Sequence, residues 1–356
     1  MTPKQRVMAA LNHQPPDRLP LFDGFWSEFA RAWRHAHPEA GDQELTDYYG
    51  IDVAICVANE AAFPSRAGVL EDRGTEVIER DGWGRLLRRK KDAFFADELD
   101  SALHSRQEFD ATSFEDPLDD SRYGAFVSQV AAQQENRCVF CKIGGRYLRT
   151  AFVRGQEDFL TDIAGDPAFA RAQIERMAEH LKVIALESLR RADLYDTGVW
   201  IYDDMCNNNG PMMSPRQFET LFLPAYRDLV QSLKQAGAAK VILHCDGNLT
   251  PLLDMVLDAG VDGVNPVEPK AGMDLVVLKE RYGRRLSFLG GMCNARVLPK
   301  GTKEEIVAAT ERIKEAGRDG GVVIGTHSIG PDVPVEHYDW YHEAVRNLAR
   351  PGRSDT

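Results

Sequence analysis

Short continuous apolar runs alternate with longer stretches in which apolar positions recur every three to four residues. The runs predict strands over 51–57, 138–143, 198–203, 240–245, 261–266, 286–290 and 321–326. The intervening pattern predicts helices near 24–36, 157–192, 215–236, 250–259, 273–282, 303–317 and 335–348. A first helix starts at Thr2, an N-cap, with Pro3 behind it and a stripe of Val7, Met8 and Leu11. Pro15-Pro16-Asp17 ends it, and Leu19-Pro20-Leu21-Phe22 continues extended. Ser214-Pro215 is a second helix start of the same kind.

Strands without polar alternation, each followed by a helix, imply a parallel sheet covered on both faces. Seven or eight such units in 356 residues point to an α/β fold, a (β/α)8 TIM barrel. The rival is an open doubly wound sheet. It is disfavoured because Gly144-Gly145 lacks the third glycine and the acidic partner of a phosphate-binding turn. Residues 74–95 break the rhythm. They predict a β-hairpin turning near Asp81-Gly82, followed by an acidic, apolar-poor segment over 97–120. The expected organisation is one barrel domain over 1–349 with an N-terminal helical and hairpin excursion (74–120 on one rim), and a frayed polar tail over 350–356.

A net charge of -12, from 43 basic and 55 acidic residues, argues against partners such as nucleic acid or anionic membrane. No run approaches the ~20 apolar residues that cross a bilayer, and the N-terminus lacks a signal-peptide core, so a cytoplasmic location is expected. The six cysteines (56, 138, 141, 206, 245 and 293) are scattered and read as reduced thiols. Cys138 and Cys141 form a single CxxC, but on a strand positions three apart face opposite ways.

In a barrel the chemistry sits at the strand C-termini. Those positions hold Asn59-Glu60, Asp203-Asp204, His244-Cys245-Asp246, Asn265 to Glu268, Met292-Cys293-Asn294 and His327-Ser328. His244 and Asp246, two apart at a strand end, can face one centre, with Gly247 allowing a tight turn. His327 offers a third donor. Two His and one carboxylate suit zinc, or iron and manganese. Asp203 or Asp204 can orient a substrate, or one of them can bond the turn-rich loop Cys206 to Gly210.

These motifs, in this order, resemble the uroporphyrinogen-decarboxylase superfamily, which includes corrinoid methyltransferases. The residues that carry the resemblance are Gly210-Pro211-Met212-Met213-Ser214-Pro215 with Pro224, Leu243 to Asn248, Leu289-Gly290-Gly291-Met292, and His327 to Pro334 with Glu336-His337-Tyr338. The resemblance implies a (β/α)8 barrel with its active site at the strand C-termini. The true decarboxylases carry an arginine-rich N-terminal segment for their acidic substrate; here only Arg18 is basic. Their key aspartate falls on Asn59, and their active-site tyrosine falls near Phe152. Porphyrin synthesis is therefore not expected.

The methyltransferase branch implies a zinc site of His-x-Cys and a distant Cys, which here becomes His244, Asp246 and His327. The expected function is a metal-dependent methyltransferase acting on a small methylated compound or a methylated corrinoid protein. Asp203, Asp204 and Asn59 would be catalytic, and Glu268, Arg146 and Asn294 substrate-binding. The cofactor would be zinc or another divalent metal. The corrinoid would come from a partner protein, since no Asp-x-His-x-x-Gly pattern occurs in the chain. Two alternatives stay open. One is a cofactor-free decarboxylase or other lyase, with Arg146 and Arg149 holding a carboxylate unless they are merely solvated at the surface. The other is a non-catalytic corrinoid or tetrapyrrole carrier. A homodimer is the oligomer the resemblance implies, with Trp26, Trp33 or Trp340 at a contact unless they pack in the core.

Overall fold

A computed structural model describes residues 1–93 and 95–347; the 350–356 tail lies outside the described residues. The fold is a (β/α)8 TIM barrel of eight parallel strands with helices between them. The strands are β1 (Leu21–Phe22), β2 (Val53–Val57), β3 (Cys138–Gly144), β4 (Gly198–Tyr202), β5 (Lys240–His244), β6 (Gly263–Val267), β7 (Ser287–Gly291) and β8 (Val322–Gly325). Those after β1 begin and end within two residues of the expected runs, because an unbroken apolar run is buried on both faces.

The chain forms two compact units, Met1–Ala54 with Asn136–Cys138 and Gly263–Thr356, and Ile55–Glu135 with Val139–Asp262. In the first, β1 pairs with β8, β8 with β7, and β7 with β6, all parallel. In the second, β5 pairs with β4 and β4 with β3, with Lys240 opposite Gly198 and Cys141 opposite Val199.

The helix starts follow the side-chain chemistry. Thr2 and Ser214 each form a capping box, with Gln5 and Gln217. The single helix expected over 157–192 is two, Gln156–Gly165 and Pro167–Ala192. Asp166 caps the second, and Pro167 cannot continue the first. The helix expected over 215–236 contains a wider π turn, Phe218–Phe222. Pro224 lacks the N–H that would close the regular turn there.

The hairpin is larger than expected. Glu76–Arg80 and Leu86–Lys90 pair antiparallel, but Gly68–Asp72 and Ala96–Asp100 flank them in a four-stranded sheet. The turn spans residues 81–85 rather than Asp81-Gly82 alone, because the Asp81 carboxylate accepts from the N–H groups of Trp83 and Arg85, both at 2.9 Å. All six cysteines are buried, and none is joined in a disulfide. Trp33 is fully buried, which makes it a core residue, while Trp26 and Trp340 are half-buried. No helix among the described residues is long and apolar enough to cross a membrane.

Two buried acids organise the first unit. Asp52, 1% exposed, receives Arg6, Arg18 and the Leu21 N–H at 2.7–2.8 Å. Asp23, just past β1, accepts from the Thr326 N–H and hydroxyl, both at 2.7 Å, and from the Tyr338 hydroxyl at 3.0 Å. Among the described residues no cation pairs with Asp23, so burial dominates and pushes its carboxyl up to about 7, against the three hydrogen bonds.

The raised value fixes the sign of a pH effect. The folded chain keeps a proton on Asp23 that the unfolded chain releases near pH 4. Its contribution is fully present below about pH 4 and is lost as pH rises through 7. Asp23→Asn stays neutral throughout. It is expected to gain about 2–4 kcal/mol on the native protein between pH 5 and pH 8. Urea unfolding of both proteins at the two pH values measures this, and a constant difference would refute it.

Candidate active site

The strand ends of the second unit are built around Asp203. This residue is fully buried one position past β4. Its carboxylate accepts from the N–H groups of Tyr147, at 3.1 Å, and Leu148, at 2.7 Å, and from the Tyr226 hydroxyl. It thus caps the helix Arg146–Arg154 from a neighbouring strand, while its own N–H donates to the His244 carbonyl at 2.9 Å. Gly145 makes the approach feasible, since a Cβ there would lie 2.0 Å from the Asp203 Cβ. Burial raises the Asp203 carboxyl, opposed by the hydrogen bonds from Tyr226 and the two amides.

Adjacent residues of an extended chain point to opposite sides, so Asp204 is turned away from this buried network. Its Oδ1 lies 3.7 Å from His244 Nε2, and Asp246 Oδ1 lies 3.2 Å from the same nitrogen. One donor atom from each of the three residues lies within 4.8 Å of the others. Zinc–nitrogen and zinc–oxygen bonds near 2.1 Å place tetrahedral donors roughly 3.3 Å apart. The two separations from His244, 3.2 and 3.7 Å, bracket that figure, so the donor set fits a divalent ion. The His244 side chain is 10% exposed and the two carboxylates about a third, which leaves one side of the group open.

Two devices hold His244 and its loop. The Tyr202 ring stacks on the imidazole, with centroids 4.0 Å apart and planes 13° from parallel. Burial beside Asp204 and Asp246 raises the Tyr202 phenol, so it stays neutral. Gly247, at φ +85°, passes so close to Asn207 that a Cβ would lie 2.4 Å from its carbonyl oxygen. The Asn248 N–H then donates to that oxygen at 2.9 Å.

In the first unit, His327 Nδ1 lies 3.3 Å from Glu268 Oε1, and Lys270 Nζ lies 3.0 Å from the same oxygen. Asn294 donates to the Ser328 carbonyl at 2.8 Å, which orders the segment after His327. Asn59 is exposed. Its side chain accepts from the Ala61 N–H, and its backbone bonds Arg122 in both directions.

The surface-solvation alternative for Arg146 and Arg149 is overturned, because Arg146 is fully buried and Arg149 is 8% exposed. Arg149 pairs with Glu60 and lies over Trp83 and Phe152. The Arg146 guanidinium has no hydrogen-bond partner among the described residues and lies 5.6 Å from the Tyr226 ring. Arg18, the one basic residue of its segment, is bound to Asp52 and to the Leu19 carbonyl.

Two residues of this constellation escape a reading of strand ends. Tyr202 is the last residue of β4, and Lys142 lies two residues before the end of β3 with its ammonium 4.2 Å from the Tyr202 ring centroid. The available signal was a lone lysine inside the run Cys138-Val139-Phe140-Cys141-Lys142-Ile143, which an apolar strand does not need.

Comparison with known proteins places this geometry in context. The model of the family uroporphyrinogen decarboxylase (URO-D) matches residues 147–348. No curated protein matches the sequence. Among solved structures, a methyltransferase from Methanosarcina mazei superimposes with a TM-score of 0.65 at 17% identity, covering 97% of this chain and 98% of that one. A B12-independent methionine synthase from Shewanella sp. W3-18-1 gives a TM-score of 0.45 at 11% identity, covering 93% of each chain.

The contrast between two buried charges is testable by thermal and urea unfolding. Asp203→Ala strips the cap from a buried helix end and is expected to cost about 3 kcal/mol. Arg146→Met removes a buried guanidinium that has no hydrogen bond and is expected to cost less than about 1 kcal/mol, or to stabilise. Equal losses for the two variants would show that Arg146 is held as firmly as Asp203.

Proposed function

The chain belongs to the uroporphyrinogen decarboxylase (URO-D) family, and from that premise we propose that it is a metal-dependent methyltransferase rather than a porphyrin decarboxylase. Its substrate is a small methylated compound or a methylated corrinoid protein, with the corrinoid supplied by the partner. The observation that carries this reading is the open donor set of His244, Asp204 and Asp246. The fold shared with the Methanosarcina mazei methyltransferase agrees with it.

His244 Nε2 and the two carboxylates would hold a divalent ion such as zinc. A bound ion of that kind acts as a Lewis acid on an oxygen, nitrogen or sulfur atom of the substrate. The chain's own residues do the rest. Tyr202 keeps the imidazole in one plane, and Asp203 fixes the β4 end from below. The short Gly247 turn brings Asp246 back to the histidine. Two oxygen donors make the set harder than one rich in thiolates, which favours a hydroxyl, water or amine over a soft sulfur. The expected role of Asp204 changes accordingly, from substrate orientation to ligation.

Decarboxylation of a polycarboxylated tetrapyrrole lacks its anchors here. Arg18 is committed to Asp52, and Asn59 offers an exposed amide where a carboxylate would be needed.

Metal content by mass spectrometry tests the reading. The purified protein is expected to hold close to one zinc or iron per chain, and His244→Ala to lose at least about tenfold in affinity. His327→Ala, measured separately, asks whether the third residue of the family pattern contributes. Methyl transfer from methylcobalamin to small thiols, amines and alcohols should then disappear in His244→Ala. A metal-free native protein, or a His244→Ala variant with unchanged metal, would overturn the assignment.

A further inference from the structure

Lys142 stands inside β3 with its side chain half-buried, a costly place for a charge without a role. Burial lowers its pKa from the ordinary lysine range, reinforced by Arg149 and partly offset by Glu60 and Asp204. The nearby acids are engaged elsewhere. Glu60 pairs with the Arg149 guanidinium and accepts the Gly144 N–H at 2.5 Å. Asp204 faces His244 and accepts the Asp246 N–H at 3.3 Å. Among the described residues the Lys142 ammonium donates no hydrogen bond and forms no ion pair; its close contact is the Tyr202 ring. The same ring stacks on His244. An ammonium with open donors is therefore set on the aromatic ring that orients the metal-capable histidine.

We propose that Lys142 is the anion anchor of this site and that the substrate is a small oxyanion, in the first instance a carboxylate. The acid pairs with Lys142, while the reacting end lies at Asp204, His244 and Asp246. This inference rests on reading those three residues as the reacting centre. An ammonium is a point charge without the planar fork of a guanidinium, so it binds carboxylate and phosphate alike. The Tyr202 ring, held between Lys142 and His244, sets the spacing between the two ends.

The test uses butyrate and butyramide, equal in shape and different in charge, titrated calorimetrically into zinc-loaded and into chelator-stripped protein. A charge-assisted contact in a half-buried site predicts that butyrate binds about 10- to 100-fold more tightly than butyramide. Lys142→Met should bring the two within about twofold, and Lys142→Arg should retain most of the preference. Lys142→Gln repeats the loss without an apolar tip, and circular dichroism checks that each variant is folded. Inorganic phosphate run beside butyrate distinguishes a phosphate-bearing substrate from a carboxylic acid. No preference in the wild type, or a preference that survives both Lys142→Met and Lys142→Gln, overturns the proposal. A preference that persists in a protein unable to hold zinc keeps the anchor and removes the metal reading. Zinc bound at His244 without any preference does the reverse.

Discussion

The carboxylate of Asp203 accepts two helix-end N–H groups and a tyrosine hydroxyl in a place that water does not reach. An unsatisfied helix end buried there would cost several kcal/mol, and so would an unsatisfied carboxylate. Each removes the penalty of the other. The pairing ties the end of β4 to the helix that follows β3 and, through Tyr226, to the helix Leu223–Gln235. Because the Asp203 N–H also reaches the His244 carbonyl, the end of β5 is set by the same residue. The rest of the constellation in the second unit inherits its geometry from this one acid.

Asp203 and Asp204 are the same amino acid side by side, yet one is structural and the other faces the open group. What separates them is the alternation of an extended chain and the close glycine at Gly145. The acids that bear on this site differ similarly. Asp203 is held by uncharged donors, Glu60 by the Arg149 guanidinium, and Asp204 and Asp246 lie on either side of one histidine.

Much of the fold was legible because its information is local. Unbroken apolar runs gave the barrel strands, and Thr2-Pro3 and Ser214-Pro215 gave helix starts. The two outer strands of the excursion were not legible. Gly68–Asp72 is exposed along its whole length and Ala96–Asp100 nearly so, so no apolar alternation marks them; backbone pairing and ion pairs such as Arg88–Asp97 and Lys91–Asp72 make them strands. At the site, His244 and Asp246 were visible from their spacing at a strand end. The family pattern itself put Asp246 where a cysteine would stand. Membership of Asp204 in the donor set was hidden, because which of two neighbouring acids turns inward depends on packing from Gly145 and Tyr226. Lys142 was hidden by its apolar neighbours. The burial of Arg146 was hidden because a basic residue opening a helix ordinarily faces water.

The burial of the cysteines gives the molecule a chemical clock. Burial pushes the Cys141 thiol up to about 12 and raises Cys245 well above the ordinary range, whereas backbone N–H groups around Cys293 hold its thiol below it. At Cys141 and Cys245 an alkylating reagent therefore reacts only as fast as the chain opens. Cys141 and Cys245 therefore time the opening of the unit that holds them both, while Cys293, with its lowered thiol, sets a separate rate in the other unit.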